Sequence, residues 1–306
     1  MTYEHLRIAL FGNIHQSKKN QYVAAIVNHL THLGVQIAVE EQFATFITQQ
    51  LGVVLPSFVP FCHHKGCQAD MAISIGGDGT FLGTAAKLAG TGIPILGINT
   101  GHLGFLADVT PEHLAPALDA LCRGDYVVEE RSMLAVEKDG RPSDFHPYAL
   151  NEVAVLKHDN SSLIEVSTYV NGLFLTDFLA DGIILCTATG STGYSLSVGG
   201  PIIVPGTGTL CLSAVAPHSL SVRPVVMRDD VEIRLKIRSR SGRFLLTADG
   251  KSESLPDSTT ITLRKANVST PVIKIDHKDF FGTLRDKLNW RGSNIKRQDA
   301  CAAGEE

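Results

Sequence analysis

The order of apolar and polar positions divides the chain into two halves with different rhythms. Through about the first 125 residues, apolar runs alternate with helical stripes. His5 to Phe11 reads as a strand ending at Gly12-Asn13. Tyr22, Val23, Ile26, Val27, Leu30 and Leu33 then recur at helical spacing until Gly34. Val35–Val39 predicts a second strand, and Glu41–Leu51 is compatible with a helix. Met71–Ile75 and Ile93–Ile98 read as buried strands, with a helix over Phe81–Ala89 between them. Thr110 is placed to cap a further helix, with Pro111 in its first turn. Uninterrupted apolar strands between helices imply a parallel, Rossmann-like sheet covered on both faces.

From about Tyr126 the period falls to two. Val231, Ile233, Leu235 and Ile237 alternate with Glu232, Arg234, Lys236 and Arg238, and Thr260–Arg264 alternates likewise. Asn171-Gly172, between two β-rich runs, predicts a tight hairpin. The second half therefore reads as an antiparallel all-β domain. The expected division is 1–125 and 126–275, with a helical segment over Phe280–Trp290 and a small, charged end from Arg297.

Composition narrows the field. A length of 306 residues suits two domains, and 44% apolar residues suffice for two cores. A net charge of −4 argues against nucleic-acid binding by bulk electrostatics. No apolar run reaches the roughly 18 residues of a membrane span, and the N-terminus lacks a signal-peptide pattern, so a cytoplasmic location is expected. The six cysteines are scattered, as reduced thiols are. Cys62-His63-His64-Lys65-Gly66-Cys67 offers four metal-ligating side chains, but structural zinc sites join pairs from separated segments, so a surface loop is the expectation.

Four polar clusters carry candidate chemistry. Gly76-Gly77-Asp78-Gly79-Thr80 follows a buried strand and precedes a helix. Glycines there admit backbone N–H groups to phosphate oxygens. The acid is placed to take a proton from an attacking hydroxyl or to hold a metal between phosphates. Local composition leaves a plain turn as an equal reading. Gly97–Asp108 ends at the same sheet edge and holds His102, a ligand or a cap, and Phe105, core or stacking surface. Asn151-Glu152 puts an amide beside a carboxylate in an apolar β run, where one of the two faces inward and needs partners. Ala180–Ile202 crowds Thr187, Thr189, Ser191, Thr192, Ser195 and Ser197 into a glycine-rich stretch. The P-loop, dinucleotide, protein-kinase and G-x-S-x-G signatures are all missing.

In order and spacing, GGDGTFL, NTGHLGFL, NE, DGIILCTATGSTGYSLSVGGPI, PHSLSVRPVV and ADGK resemble the NAD kinases over Ala72 to Trp290. The resemblance implies a site between the two domains where the γ-phosphate of ATP passes to the 2′-hydroxyl of the adenosine ribose of NAD. It casts Asp78 as proton acceptor and lines the phosphate path with Gly76, Gly77, Gly79 and Thr80. It sets Phe105 against the dinucleotide, Asn151 and Glu152 on the adenosine, and Asp181 on the nicotinamide side. Thr192, Gly193, Tyr194, Ser195, Leu196 and Ser197 would wrap the nucleotide. It also implies magnesium carried mainly by the ATP phosphates, a homo-oligomer (tetramer or dimer) whose neighbouring subunit helps complete the site, and a tail, 276–306, that returns to the first domain. Departures are Cys186-Thr187-Ala188 for the usual Ser-Thr-Pro, Gly193 for alanine, and Lys251 for glutamine. GGDGT alone also fits kinases of lipids or sugar phosphates, but these leave Asn151-Glu152 and Asp181–Ser197 unexplained.

Overall fold

The computed structural model describes residues 2–14, 20–53, 55, 58–61, 69–101, 104–107, 109–159, 162–275 and 280–290. The first half opens with β1 (Arg7–Gly12), α1 (Asn20–His32) and β2 (Gln36–Glu40). The helical stripe is the buried face of α1: Val23, Ile26, Val27 and Leu30 join Ile8 and Leu10 of β1 in one core cluster. α2 (Glu41–Thr45) follows at once, with the Glu40 carboxylate accepting the Phe43 N–H at 2.9 Å, and runs on as a wider helical turn, Phe46–Gln50. β3 (Phe58–Phe61) is a strand the pattern does not predict, because Pro60 breaks a four-residue run; it sits at the sheet edge, where a missing N–H is tolerated.

β4 (Met71–Gly76), α3 (Asp78–Leu88) and β5 (Ile95–Asn99) complete the parallel sheet, ordered β3-β2-β1-β4-β5. α3 starts three residues before the predicted Phe81. Gly77 is its N-cap and Asp78 its first residue, where an acid favours the positive end of the helix. The predicted helix after Thr110 opens as a 3₁₀ turn, Pro111–His113, and continues as α4 (Leu114–Arg123). Thr110 bonds the His113 ring at 3.1 Å instead of capping the backbone. The chain winds to one side of β1 through β2 and β3, then returns to lay β4 on the other. The carboxyl ends of β1 and β4 therefore flank the topological switch point, the usual ligand crevice of such sheets.

The second half is a sandwich. One sheet has six strands, in the order Val225–Arg228, Thr209–Val215, Gly182–Thr187, Glu152–Lys157, Arg243–Ala248 and Lys251–Pro256. Its Val153, Val155, Leu185, Leu212 and Leu246 share a core with Leu235, Ile261 and Leu263 of the facing sheet. The predicted hairpin is present, with φ of 49° at Asn171 and 80° at Gly172. The two halves are continuous, a feature the sequence pattern misses. The strand Thr260–Lys274 pairs antiparallel with β6 (Val127–Lys138) and parallel with β5 at Val272–Ile95, so one twelve-stranded sheet crosses both halves. A register shift between Lys265 and Ser269 interrupts the alternation that marks its first five residues. Cys122, Cys186 and Cys211 are free and buried. No helix among the described residues is long and apolar enough to cross a membrane. Cys62–Cys67 and His102 lie outside the described residues.

Candidate active site

The turn after β4 presents Asp78 at the mouth of the sheet. Its carboxylate accepts three backbone N–H groups from the next loop: Phe105 on Oδ2 at 2.9 Å, and Leu106 and Ala107 on Oδ1 at 3.1 Å each. A carboxylate has about four acceptor positions, so these three leave one, on Oδ2. Glycine at 104 makes the contact possible, since a Cβ there would overlap the Asp78 carboxylate. Buried Asn99 stitches the same loop, its Oδ1 accepting the Gly101 N–H at 2.7 Å and its Nδ2 donating to the Ala107 carbonyl at 3.3 Å. Gly76 is equally constrained, because a Cβ would collide with the Thr80 side chain. Gly79 and Thr80 lie in the first turn of α3, where the Thr80 N–H donates to the carbonyl of the N-cap Gly77 at 3.0 Å and helix geometry gives the N–H groups ahead of it no acceptor one turn back. Asp78 thus ties two loops at the end of the sheet together and keeps one acceptor position.

Asn151 and Glu152 open the central strand of the six-stranded sheet. Their backbone is held by Asp249, whose carboxylate accepts the N–H groups of Leu150, Asn151 and Glu152 at 2.6, 2.9 and 3.1 Å. Beneath them Thr187 donates its hydroxyl to the Leu150 carbonyl at 2.6 Å. Yet Asn151 Oδ1 and Glu152 Oε2 are buried without a partner. Burial, reinforced by nearby Asp249, pushes the Glu152 carboxyl up to about 7, against the pull of the Tyr194 N–H. Burial likewise raises Asp249, despite its three amide donors. Orphaned buried polar atoms cost about 1–3 kcal/mol each. A pair of them side by side marks a place where a polar ligand repays that cost.

The hydroxyl-rich segment folds over this pair as a 3₁₀ turn, Thr189–Thr192, and a single helical turn, Tyr194–Ser197. Most of its hydroxyls face the protein. Ser191 is fully buried, donates to the Ala188 carbonyl at 2.8 Å and accepts the Ile203 N–H at 2.9 Å. Ser195, also fully buried, meets Ser213 at 3.4 Å. Thr192 and Ser197 bond carbonyls within their own turns. Gly193 lies directly over the orphaned pair, since a Cβ would sit 2.8 Å from Glu152 Oε2 and 3.2 Å from Asn151 Nδ2. Tyr194 is exposed beside it, and Leu196 is half-buried.

Asp181 stands apart. Glu152 pairs with Cys186, five residues along the strand from Asp181, a separation of about 16 Å at strand rise. Asp181 forms an ion pair with Lys157 at 2.6 Å. Phe105 faces Phe280 of the C-terminal helix Phe280–Lys287, ring centres 6.3 Å apart, with Lys287 Nζ 5.5 Å above its ring.

A cavity of about 610 Å³ opens at the switch point, between the end of β1 (Phe11–Ile14), the first turn of α3 and the strip Phe145–Tyr148, with Asp249 and Lys251 beyond. The Glu40–Lys87 ion pair, 2.8 Å, forms part of its wall. Asp249, Glu40, Lys87 and His146 escape a reading of the sequence. Only Asp249 leaves a trace there, as an Asp-Gly turn within ADGK. Three or more His, Cys, Asp or Glu side chains are nowhere grouped as a metal site among the described residues.

A glycine-rich strand-to-helix turn at a sheet switch point, facing a β sandwich with an unpaired amide–carboxylate pair, defines a two-lobed nucleotide-binding protein. Residues 8–126 match the model of the ATP-NAD kinase N-terminal domain, and residues 150–275 that of the C-terminal domain. The chain belongs to the ATP-NAD kinase family. It is 47% identical to the NAD kinase of Bacteroides fragilis (strain YCH46) over 93% of this chain and 98% of that protein. It is 40% identical to the NAD kinase of Porphyromonas gingivalis (strain ATCC 33277) over 93% and 98%. Among solved structures, an Archaeoglobus fulgidus NAD kinase in complex with ATP superposes with a TM-score of 0.73 at 27% identity, covering 94% of this chain and all of that one. Yeast NADH kinase complexed with NADH shares the fold, TM-score 0.84 at 21% identity over 94% and 88%.

Proposed function

We propose that this chain transfers the γ-phosphoryl group of ATP to the 2′-hydroxyl of the adenosine ribose of NAD, yielding NADP and ADP. The observation that carries this reading is the orphaned pair Asn151 Oδ1 and Glu152 Oε2, buried beneath Gly193 and ready for the polar edge of an adenosine. The relatives named NAD kinase support it, and a lipid or sugar-phosphate acceptor would leave that pair unused. In this reading Asn151 and Glu152 hold the adenosine, and Thr192–Ser197 closes over it through Gly193 and exposed Tyr194. Phe105 lies against the dinucleotide. Asp78 takes the ribose hydroxyl on its remaining Oδ2 position and orients it. The new bond joins O2′ to the γ-phosphorus, and the bond to the β–γ bridging oxygen breaks. ADP leaves with that electron pair, and the hydroxyl proton is released by way of Asp78. Little covalent work is asked of the protein, because phosphoryl transfer is governed by positioning and charge. Gly76, Gly77, Gly79 and Thr80 line the phosphate path at the start of α3.

Magnesium carried on the ATP phosphates would supply charge neutralisation. The described residues offer it no cluster of protein ligands. Asp181, about 16 Å from Glu152, serves the nicotinamide end within an assembly of copies. Exposed Leu173, Phe174, Leu175 and Leu179 on one edge strand, and Val225 and Val226 on another, supply apolar surface for a dimer or tetramer. The lobes divide near residue 125, and the enzyme works in the cytoplasm. The test is incubation of the purified protein with ATP, magnesium and NAD, following NADP through an NADP-specific dehydrogenase. NADP formation is expected, and a folded sample that makes none overturns the reading.

A further inference from the structure

The three amides that hold Asp78 are anchored in different ways. Leu106 and Ala107, which donate to Oδ1, are both buried. Leu106 packs in the core cluster that holds Phe81 of α3, and the Ala107 carbonyl is tied to Asn99. Phe105, which donates to Oδ2 at 2.9 Å, is only half-buried. Oδ2 is also the oxygen with an acceptor position left over. The oxygen with capacity for a ligand is therefore the one whose protein donor stands at the margin of the core.

The C-terminal helix supplies the anchor that Phe105 otherwise lacks. Phe280, Thr283, Leu284 and Lys287 fall on one of its faces, at the i, i+3, i+4, i+7 spacing of a helix. Leu284 is buried and seats the helix. At one end of this face the Phe280 ring meets Phe105, and at the other Lys287 Nζ stands over the same ring. Phe281 packs edge-on against Phe280, ring centres 5.8 Å apart. A tilted aromatic pair is a favourable contact that depends on orientation, and the exposed ammonium adds a weaker one. A cavity of about 380 Å³ adjoins the two rings, with Arg131 and Thr283 also on its wall. Without Phe280, the Phe105 ring would have room to swing into that space, and its amide would turn with it.

We propose that the C-terminal helix braces the reacting oxygen of Asp78: Phe280, aided by Lys287, fixes the Phe105 ring, and the Phe105 amide then fixes Oδ2. Phe280 and Lys287 are positioning residues, brought to the mouth of the parallel sheet from the far end of the chain. The proposal rests on the reading of Asp78 as the group that orients the ribose hydroxyl. It divides the labour between the two carboxylate oxygens, Oδ1 held by the core of the first half and Oδ2 by the last helix.

The test combines kinetics with amide hydrogen exchange on the full chain. Phe280→Ala should lower kcat by about 10–10²-fold, the cost of a shift of up to about 1 Å at the reacting group, with the KM for ATP unchanged. Phe280→Tyr keeps the ring and should restore kcat. Phe280→Leu fills part of the space without a ring; it should fall between the two, and it replaces the alanine variant if that one fails to fold. Lys287→Met should cost less, and Lys287→Arg should recover it. Added to Asp78→Asn, Phe280→Ala should bring little further loss, because the two act through one carboxylate. A loss as large as in the wild-type background overturns the proposal. In ligand-free samples, amide exchange at Phe105 should quicken in Phe280→Ala and not in Phe280→Tyr. Wild-type kcat in Phe280→Ala, or unchanged exchange at Phe105, likewise overturns it. Faster exchange there in a protein that makes no NADP sustains the brace and rejects the NAD reading.

Discussion

The turn Gly76–Thr80 and the segment Ala180–Ile202 both break apolar chain with polar groups, and they spend those groups in opposite ways. The turn keeps capacity in reserve: Asp78 accepts three amides and retains a position on Oδ2. The segment, far richer in hydroxyls, turns most of them inward, with Ser191 and Ser195 fully buried and bonded to protein groups. Its contribution to the site is mainly shape, through Gly193 over Glu152. Hydroxyl content is therefore a poor guide to ligand contact. What distinguishes the candidate site is a pair of adjacent residues with buried unpaired oxygens, Asn151 Oδ1 and Glu152 Oε2.

Four substitutions test that contrast. The largest effect belongs to Asp78→Asn, which should lower kcat by about 10²–10⁴ with NAD affinity little changed; steady-state kinetics with a kcat–KM split reads it. A near wild-type kcat would reduce Asp78 to a loop tie. Gly104→Ala should follow, because its Cβ displaces the Asp78 carboxylate without removing it. A shift of about 1 Å costs on the order of 10²-fold in rate, with the melting temperature showing whether the fold survives.

Glu152→Gln separates affinity from stability. With its carboxyl raised from 4.5 to about 7, folded Glu152 holds a proton that the unfolded chain has lost between those values. Stability therefore falls as pH rises through that window and stays reduced above it. The variant should be more stable than the wild type at pH 8 by up to roughly 3 kcal/mol, and by much less near pH 4, in denaturant titrations without ligand. It should also bind NAD more weakly. Ser191→Ala should show the smallest effect on function: a loss of about 1–3 kcal/mol in stability, with kcat/KM for NAD within about twofold of wild type. A large loss of NAD affinity there would mean that the segment contacts ligand through its hydroxyls after all.

Periodicity makes the parallel sheet and α1 legible, because Val23, Ile26, Val27 and Leu30 are buried for the reason their spacing predicts. It fails where a local signal is ambiguous or broken. Pro60 hides β3, and the register shift after Lys265 hides the strand that joins the two halves. Asp78 and Thr80 read as turn residues, although both belong to the first turn of α3. At the candidate site, adjacent Asn151 and Glu152 announce a buried polar pair, but the chain that covers them comes from Gly193, about 40 residues further on. Asp249 and the cavity-lining His146 owe their roles to tertiary contacts that no local pattern encodes.

The central claim concerns which oxygen receives the phosphoryl group, and ³¹P NMR of the product mixture tests it most directly. With ATP and NAD supplied, a new phosphate-monoester signal on the adenosine ribose of the dinucleotide, growing in step with ADP, is the predicted result. ADP formed without that signal, or a monoester appearing only when a lipid or a sugar phosphate is supplied, would contradict it.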